Sequence, residues 1–81
     1  MFMEYVLSAM AQAKYKILGD KTYYGEIPGF SGVWSNGKDL ETCRKELQEV
    51  LEEWVLLKVR HGDKLPSVHG KRLKLPTAIN A

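Results

Sequence analysis

The sequence predicts a small α+β domain in which a three-stranded antiparallel sheet carries one long helix on one face. Two observations predict this architecture. Short segments rich in β-forming residues follow one another over residues 13–35, separated by turns that contain Gly and Pro. An apolar pattern with helical spacing then runs from Leu40 to Leu57. Strands joined by tight turns pair as antiparallel neighbours, and one long amphipathic helix can cover only one face of their sheet.

Length and composition indicate one folded domain. The chain has 81 residues, of which 44% are hydrophobic and 27% charged, and this balance excludes global disorder. We divide residues 1–81 into a short N-terminal helix at 1–12, a sheet-plus-helix core at 13–62, and a loop with a short terminal strand at 63–81. A domain of this size buries only roughly 60–65% of its unfolded surface, so a partner or a second copy is expected to add burial.

Compartment and membrane signals point to the cytoplasm. Cys43 is the single cysteine, which excludes an intrachain disulfide and fits a reducing compartment. The sequence contains no apolar run near the roughly 20 residues that span a bilayer. Residues 1–10 have no basic segment ahead of their apolar residues and therefore do not resemble a signal peptide. We therefore expect a cytoplasmic protein without membrane contact.

The short elements follow from spacing and turn chemistry. Apolar residues at helical spacing predict a first helix over residues 2–11, and alternation predicts strands over 13–18, 22–27 and 31–35. Turns are predicted at 19–21, at Pro28 and Gly29, and at Asn36 and Gly37, because Gly and Asn tolerate positive φ and Pro cannot donate to a sheet. A final short strand is predicted over 71–75, closed by Pro76.

The long helix has the strongest periodic signal. Asp39 is suited to cap its first turn, and Gly62 is suited to end it. The apolar residues predicted to face the sheet recur at steps of three and four: Leu40, Cys43, Leu47, Val50, Leu51, Trp54 and Leu57.

The residue pattern predicts no catalytic, metal or cofactor site. His61 and His69 do not stand at zinc-ligand spacing with Cys43, which is predicted to lie in the core. The helix carboxylates lie along outer faces, as in most solvated helices, and metal-dependent nucleases instead need carboxylates that converge from different elements. The glycines sit in a strand–turn–strand unit and form no phosphate loop. We therefore expect a protein that is not an enzyme.

The aromatic residues of the strands are more suggestive. Alternation places Tyr24 and Trp34 on the sheet face opposite Tyr23 and Val33. If that face is uncovered, its aromatics mark an interface, and the alternative is that the N-terminal helix covers them. The candidate partner-binding residues are Tyr24, Trp34, Glu26, Lys14 and Lys16, and either a face or an edge of the sheet can make the contact.

From residue 5 to about residue 65 the chain resembles the HicB-like antitoxins of bacterial toxin–antitoxin pairs. The resemblance rests on residues 13–18 (AKYKIL), 23–29 (YYGEIPG), 32–34 (GVW), Gly37, 40–44 (LETCR), 46–47 (EL) and Trp54. It implies a partial ribonuclease-H-like fold that lacks the ribonuclease carboxylates and hence catalysis. It also implies a function, namely binding a small HicA-like toxin that cleaves mRNA and occluding its active surface.

The chain departs from the family pattern at its end. Many HicB-like antitoxins carry a C-terminal DNA-binding module, but fewer than 20 residues follow Gly62, so direct DNA binding is not expected. Instead, Leu73 and Leu75 are candidates for self-association, because a terminal strand can pair with the sheet of a neighbouring protomer in a dimer or larger homo-oligomer.

An alternative function also fits the sequence. Lys14, Lys16 and the basic residues after Lys58 could attract nucleic acid, with Tyr24 and Trp34 as stacking groups. The net charge of only +2 gives this alternative weak support.

Overall fold

A computed structural model describes residues 2–68, which form two helices and one sheet. Helix α1 (Phe2–Met10) is followed by strands β1 (Lys14–Ile17), β2 (Tyr23–Glu26) and β3 (Trp34–Gly37) and by the long helix α2 (Leu40–Arg60). The sheet order is β1-β2-β3, and both neighbouring pairs are antiparallel. The predicted α+β architecture is confirmed.

Some predictions concern residues outside this range. The terminal strand predicted over 71–75, the self-association residues Leu73 and Leu75, and His69 all lie outside the described residues. Self-association through that strand therefore stays a prediction.

The buried stripe of α2 is narrower than the sequence predicts. Its fully buried side chains repeat every four residues, at Cys43, Leu47, Leu51 and Val55. Val50 and Trp54 are half-buried, as flanks of this stripe. The expectation for Leu40 and Leu57 was wrong, since they are 45% and 50% exposed. Leu57 is two residues beyond Val55, about 200° around the helix, and therefore faces away from the sheet.

Helix α2 crosses β2 and β3 but not β1. Ile17 of β1 is 64% exposed because α2 does not reach it, although alternation places Ile17 on the same sheet face as the half-buried Tyr15. Helix α1 packs against α2 rather than against a strand. The ring of Phe30 links these layers, because its centroid lies 6.2 Å from that of Tyr5 in α1 and 5.2 Å from that of Trp54 in α2.

The third strand begins later than predicted. Residues 27–33 form two successive turns, closed by hydrogen bonds from the Phe30 amide to the Ile27 carbonyl and from the Val33 amide to the Phe30 carbonyl. Gly29 and Gly32 occupy the positive-φ position of each turn, at 86° and 88°. The predicted bounds of the third strand, residues 31–35, were therefore wrong. The predicted turn at Asn36 and Gly37 was also wrong, because Asn36 and Gly37 pair with Tyr24 and Tyr23 of β2 in the sheet.

The caps of α2 match the sequence prediction. The Asp39 carboxylate accepts a hydrogen bond from the Thr42 amide at 2.7 Å, and this bond lowers the pKa of Asp39. At the other end His61 is the C-cap and Gly62 follows with a φ of 74°.

The first turns of α2 lie unusually close to the sheet. A Cβ atom added to Gly37 would lie 2.7 Å from the Cys43 nitrogen, and one added to Gly25 would lie 3.1 Å from the Cys43 sulfur. The Ser35 hydroxyl, between these glycines on the inner face, donates to the Cys43 carbonyl at 2.7 Å. The lack of a Cβ atom at Gly25 and Gly37 and the buried hydrogen bond from Ser35 to Cys43 therefore set the distance between α2 and the sheet.

We expect Leu47→Ala to destabilise the fold by about 2–4 kcal/mol, because it removes a fully buried side chain at the centre of the stripe. The control Leu57→Ala, at a side chain that is half exposed, should change the free energy of unfolding by no more than about 0.5 kcal/mol. Urea denaturation measures both. Equal losses in the two variants would show that the stripe is not the core.

We expect Gly37→Ala to cost about 1–3 kcal/mol, because the new Cβ would press on the backbone of α2 rather than on a movable side chain. Gly19→Ala is the matched control, since no atom lies within 4 Å of a Cβ added there. Its midpoint in urea should stay the same or rise slightly. A Gly37→Ala variant as stable as the parent would contradict the close approach.

Candidate partner-binding face

One sheet face collects all the candidate partner-binding residues. Register pairs Lys14 with Glu26 and Glu26 with Trp34 across the three strands, and it pairs Lys16 with Tyr24 in the neighbouring row. Since side chains alternate along a strand, these residues point away from Gly25 and Ser35 on the helix side. We call this surface the outer sheet face, and its members are Lys14, Lys16, Tyr24, Glu26, Trp34 and Asn36.

No described helix covers the outer sheet face. Helix α2 packs on the opposite face, and α1 contacts α2 but no strand of the described sheet. Trp34 is accordingly 55% exposed, and Lys14, Lys16 and Glu26 are exposed as well. The alternative that the N-terminal helix covers Tyr24 and Trp34 is therefore wrong.

The two aromatic rings of this face stack on each other. The Tyr24 and Trp34 ring centroids are 6.0 Å apart and their planes differ by 24°. The Lys16 ammonium lies over the Tyr24 ring, 5.4 Å from its centroid. Stacking and the cation–π contact hold these side chains in place before any partner arrives.

Glu26 is tied to the same group. The Tyr24 hydroxyl donates a hydrogen bond to one carboxylate oxygen of Glu26 at 3.1 Å. The pKa of Tyr24 is raised, first by desolvation of the phenol and then by the hydrogen bond and negative charge of Glu26. The face is thus a connected set of two aromatic rings, an ammonium and a carboxylate.

Sequence reasoning missed two parts of this surface. Asn36 was assigned to a turn, although its pairing with Tyr24 places it on the outer sheet face. A groove beside the face, between the two aromatic residues and the turns over 27–33, was also missed. No sequence signal places the start of the third strand at Trp34, and the groove depends on how the turns over 27–33 fold back.

The other chemical groups take ordinary positions. Cys43 is fully buried, as predicted, and His61 is exposed at the end of α2. Among residues 2–68, no three His, Cys, Asp or Glu side chains come together as metal ligands would. In the same part of the chain, neither helix has the length and apolar character needed to span a bilayer.

Comparison with known proteins assigns the family. The sequence model of the UPF0150-like family matches residues 4–66, which include nearly all of α1, the whole sheet and α2. The chain belongs to the UPF0150-like family. This family is associated with toxin–antitoxin systems. The matched range also contains every member of the outer sheet face.

A solved structure has the same fold as this UPF0150-like chain. The chain is similar to TTHA0281 from Thermus thermophilus, whose crystal structure superposes with a TM-score of 0.85. The two sequences are 41% identical, and the match covers 91% of this chain and 93% of that chain. No curated protein matches the sequence.

We expect Glu26→Gln to lower the pKa of Tyr24 toward its ordinary value of 10.0 without reaching it. The substitution removes a negative charge beside the phenol but leaves the desolvation that contributes most to the shift. NMR titration of the Tyr24 Cζ resonance in the variant and in the parent chain measures the change. An unchanged Tyr24 pKa would show that the carboxylate does not act on the phenol.

Proposed function

We propose that this chain is a HicB-like antitoxin that binds a small HicA-like, mRNA-cleaving toxin through the outer sheet face. The observation that carries the proposal is the assembly of five candidate residues on a sheet face that no described helix covers. Membership in a family associated with toxin–antitoxin systems supports the same function.

The proposed mechanism is occlusion without catalysis. An exposed, pre-ordered Trp34 can enter a pocket of the toxin with little further loss of conformational freedom. Lys14, Lys16 and Glu26 are charged groups on the same face, and such charges select the partner and its orientation more than they add affinity. A toxin held against this face cannot bind RNA with the same surface. We place the process in the cytoplasm, in keeping with the single free cysteine.

The nucleic-acid alternative receives less support from the geometry. Tyr24 lies between the Trp34 ring and the Lys16 ammonium, so it offers less ring surface to bases than Trp34 does. Glu26 lies between Lys14 and Trp34 in the register, where its charge would repel phosphate. The two lysines are the observation in its favour, so RNA binding is measured in the experiment below.

The test uses a candidate HicA-like toxin as the partner and a labelled RNA as its substrate. We expect the chain to suppress RNA cleavage near an equimolar ratio and to cleave no RNA itself. Trp34→Ala should weaken inhibition by about 30-fold or more, the effect of losing an interface hot spot of about 2 kcal/mol. The control Leu56→Ala truncates a side chain that is 58% exposed on α2 and should inhibit like the parent.

Two results would contradict the proposal. One is undiminished RNA cleavage in the presence of excess chain. The other is equal inhibition by the Trp34→Ala and Leu56→Ala variants, which would place the contact elsewhere. Salt-sensitive binding of the chain alone to a single-stranded RNA, lost when Lys14 and Lys16 are both replaced by Ala, would instead favour the nucleic-acid alternative.

A further inference from the structure

A groove of about 390 Å³ runs along one end of the outer sheet face. The aromatic pair Tyr24 and Trp34 forms one side of the groove together with Glu26, and the turns over residues 27–33 form the other. The turns are closed by their own backbone hydrogen bonds, and Pro28 restricts the first of them. The groove is therefore a formed feature of the fold.

The charge of the groove has one source. Glu26 is the only ionisable acid or base among its lining residues apart from the weakly acidic Tyr24. Among residues 2–68, the one ion pair joins Lys58 and Asp63. The Glu26 carboxylate therefore forms no ion pair with a described residue, although Lys14 is its register neighbour. One Glu26 oxygen accepts the hydrogen bond from Tyr24, which leaves acceptor capacity on the carboxylate for a ligand.

The aromatic side of the groove favours a cation as well. Trp34 stacks on Tyr24 with one face of its indole ring and remains 55% exposed. The Lys16 ammonium over the Tyr24 ring shows that this pair already holds one cation. Indole attracts cations more strongly than the other aromatic side chains do. The exposed Trp34 indole is therefore a second position at which a cation can bind.

We infer that the groove binds an arginine side chain presented by the partner protein. A guanidinium group is planar and weakly hydrated, so it can stack on the Trp34 ring while its N–H groups donate to Glu26. A lysine ammonium matches this combination less well, because it is compact, strongly hydrated and unable to stack. The inference rests on the proposed function, for which it names the chemistry that the toxin must present.

The test measures binding of a minimal probe, N-acetyl-arginine methylamide, by NMR of the full chain. We expect millimolar, saturable shifts of the Trp34 indole N–H, weaker shifts with the lysine analogue and none with the neutral citrulline analogue. Glu26→Gln should weaken binding by about fivefold, the typical effect of losing an exposed charged contact of about 1 kcal/mol. The control Glu53→Gln makes the same chemical change at an exposed position on α2 and should leave binding unchanged.

The outcomes separate this inference from the proposed function. No saturable Trp34 shift with the arginine probe, or equal affinities in the Glu26→Gln and Glu53→Gln variants, would overturn the inference even if the chain inhibits the toxin. Arginine binding that depends on Glu26, in a chain that does not inhibit the toxin, would support the arginine site and overturn the antitoxin proposal.

Discussion

The close contact between the start of α2 and strands β2 and β3 determines most of this structure. It depends on two glycines without side chains, Gly25 and Gly37, and on the hydrogen bond from Ser35 to the Cys43 carbonyl. Because α2 is held over these two strands, its fully buried residues are those spaced four positions apart. The helix does not extend over β1. The same contact decides which sheet face is buried and which remains available to a partner.

A second, aromatic contact joins the remaining parts of the molecule. Phe30 projects from the turns between β2 and β3 and packs between Tyr5 of α1 and Trp54 of α2. The Tyr5 hydroxyl also donates to the Pro66 carbonyl, so the segment that follows α2 is tied to α1. Burial of Phe30 directs the turns back toward the helices, and Phe30 with its turn neighbours also lines the groove. Core packing and the shape of the candidate binding surface therefore have a common origin.

The outer sheet face differs from an ordinary solvated sheet surface in how its groups are connected. Lys16, Tyr24, Trp34 and Glu26 contact one another through a cation–π contact, ring stacking and a hydrogen bond. Exposed side chains normally lose rotamer freedom when a partner binds, and here part of that loss has already occurred on folding. This pre-ordering is the physical reason to regard the surface as an interface. The surface of α2 between Glu41 and Glu52 is different, because acidic and basic side chains are interspersed there as on most solvated helices.

Sequence alone determined the order of the elements, the caps of α2 and the placement of Tyr24 and Trp34 on the sheet face opposite Tyr23. These features follow from local rules, namely side-chain period, capping chemistry and turn residues. Tertiary structure decided where β3 begins, since Gly37 could serve equally in a turn or beneath the helix, and only the approach of Cys43 selects the second role. It also decided that Leu57 is exposed and Val55 buried, and that Glu26 and Trp34 border one groove, because these outcomes depend on how α2 and the turns dock on the sheet.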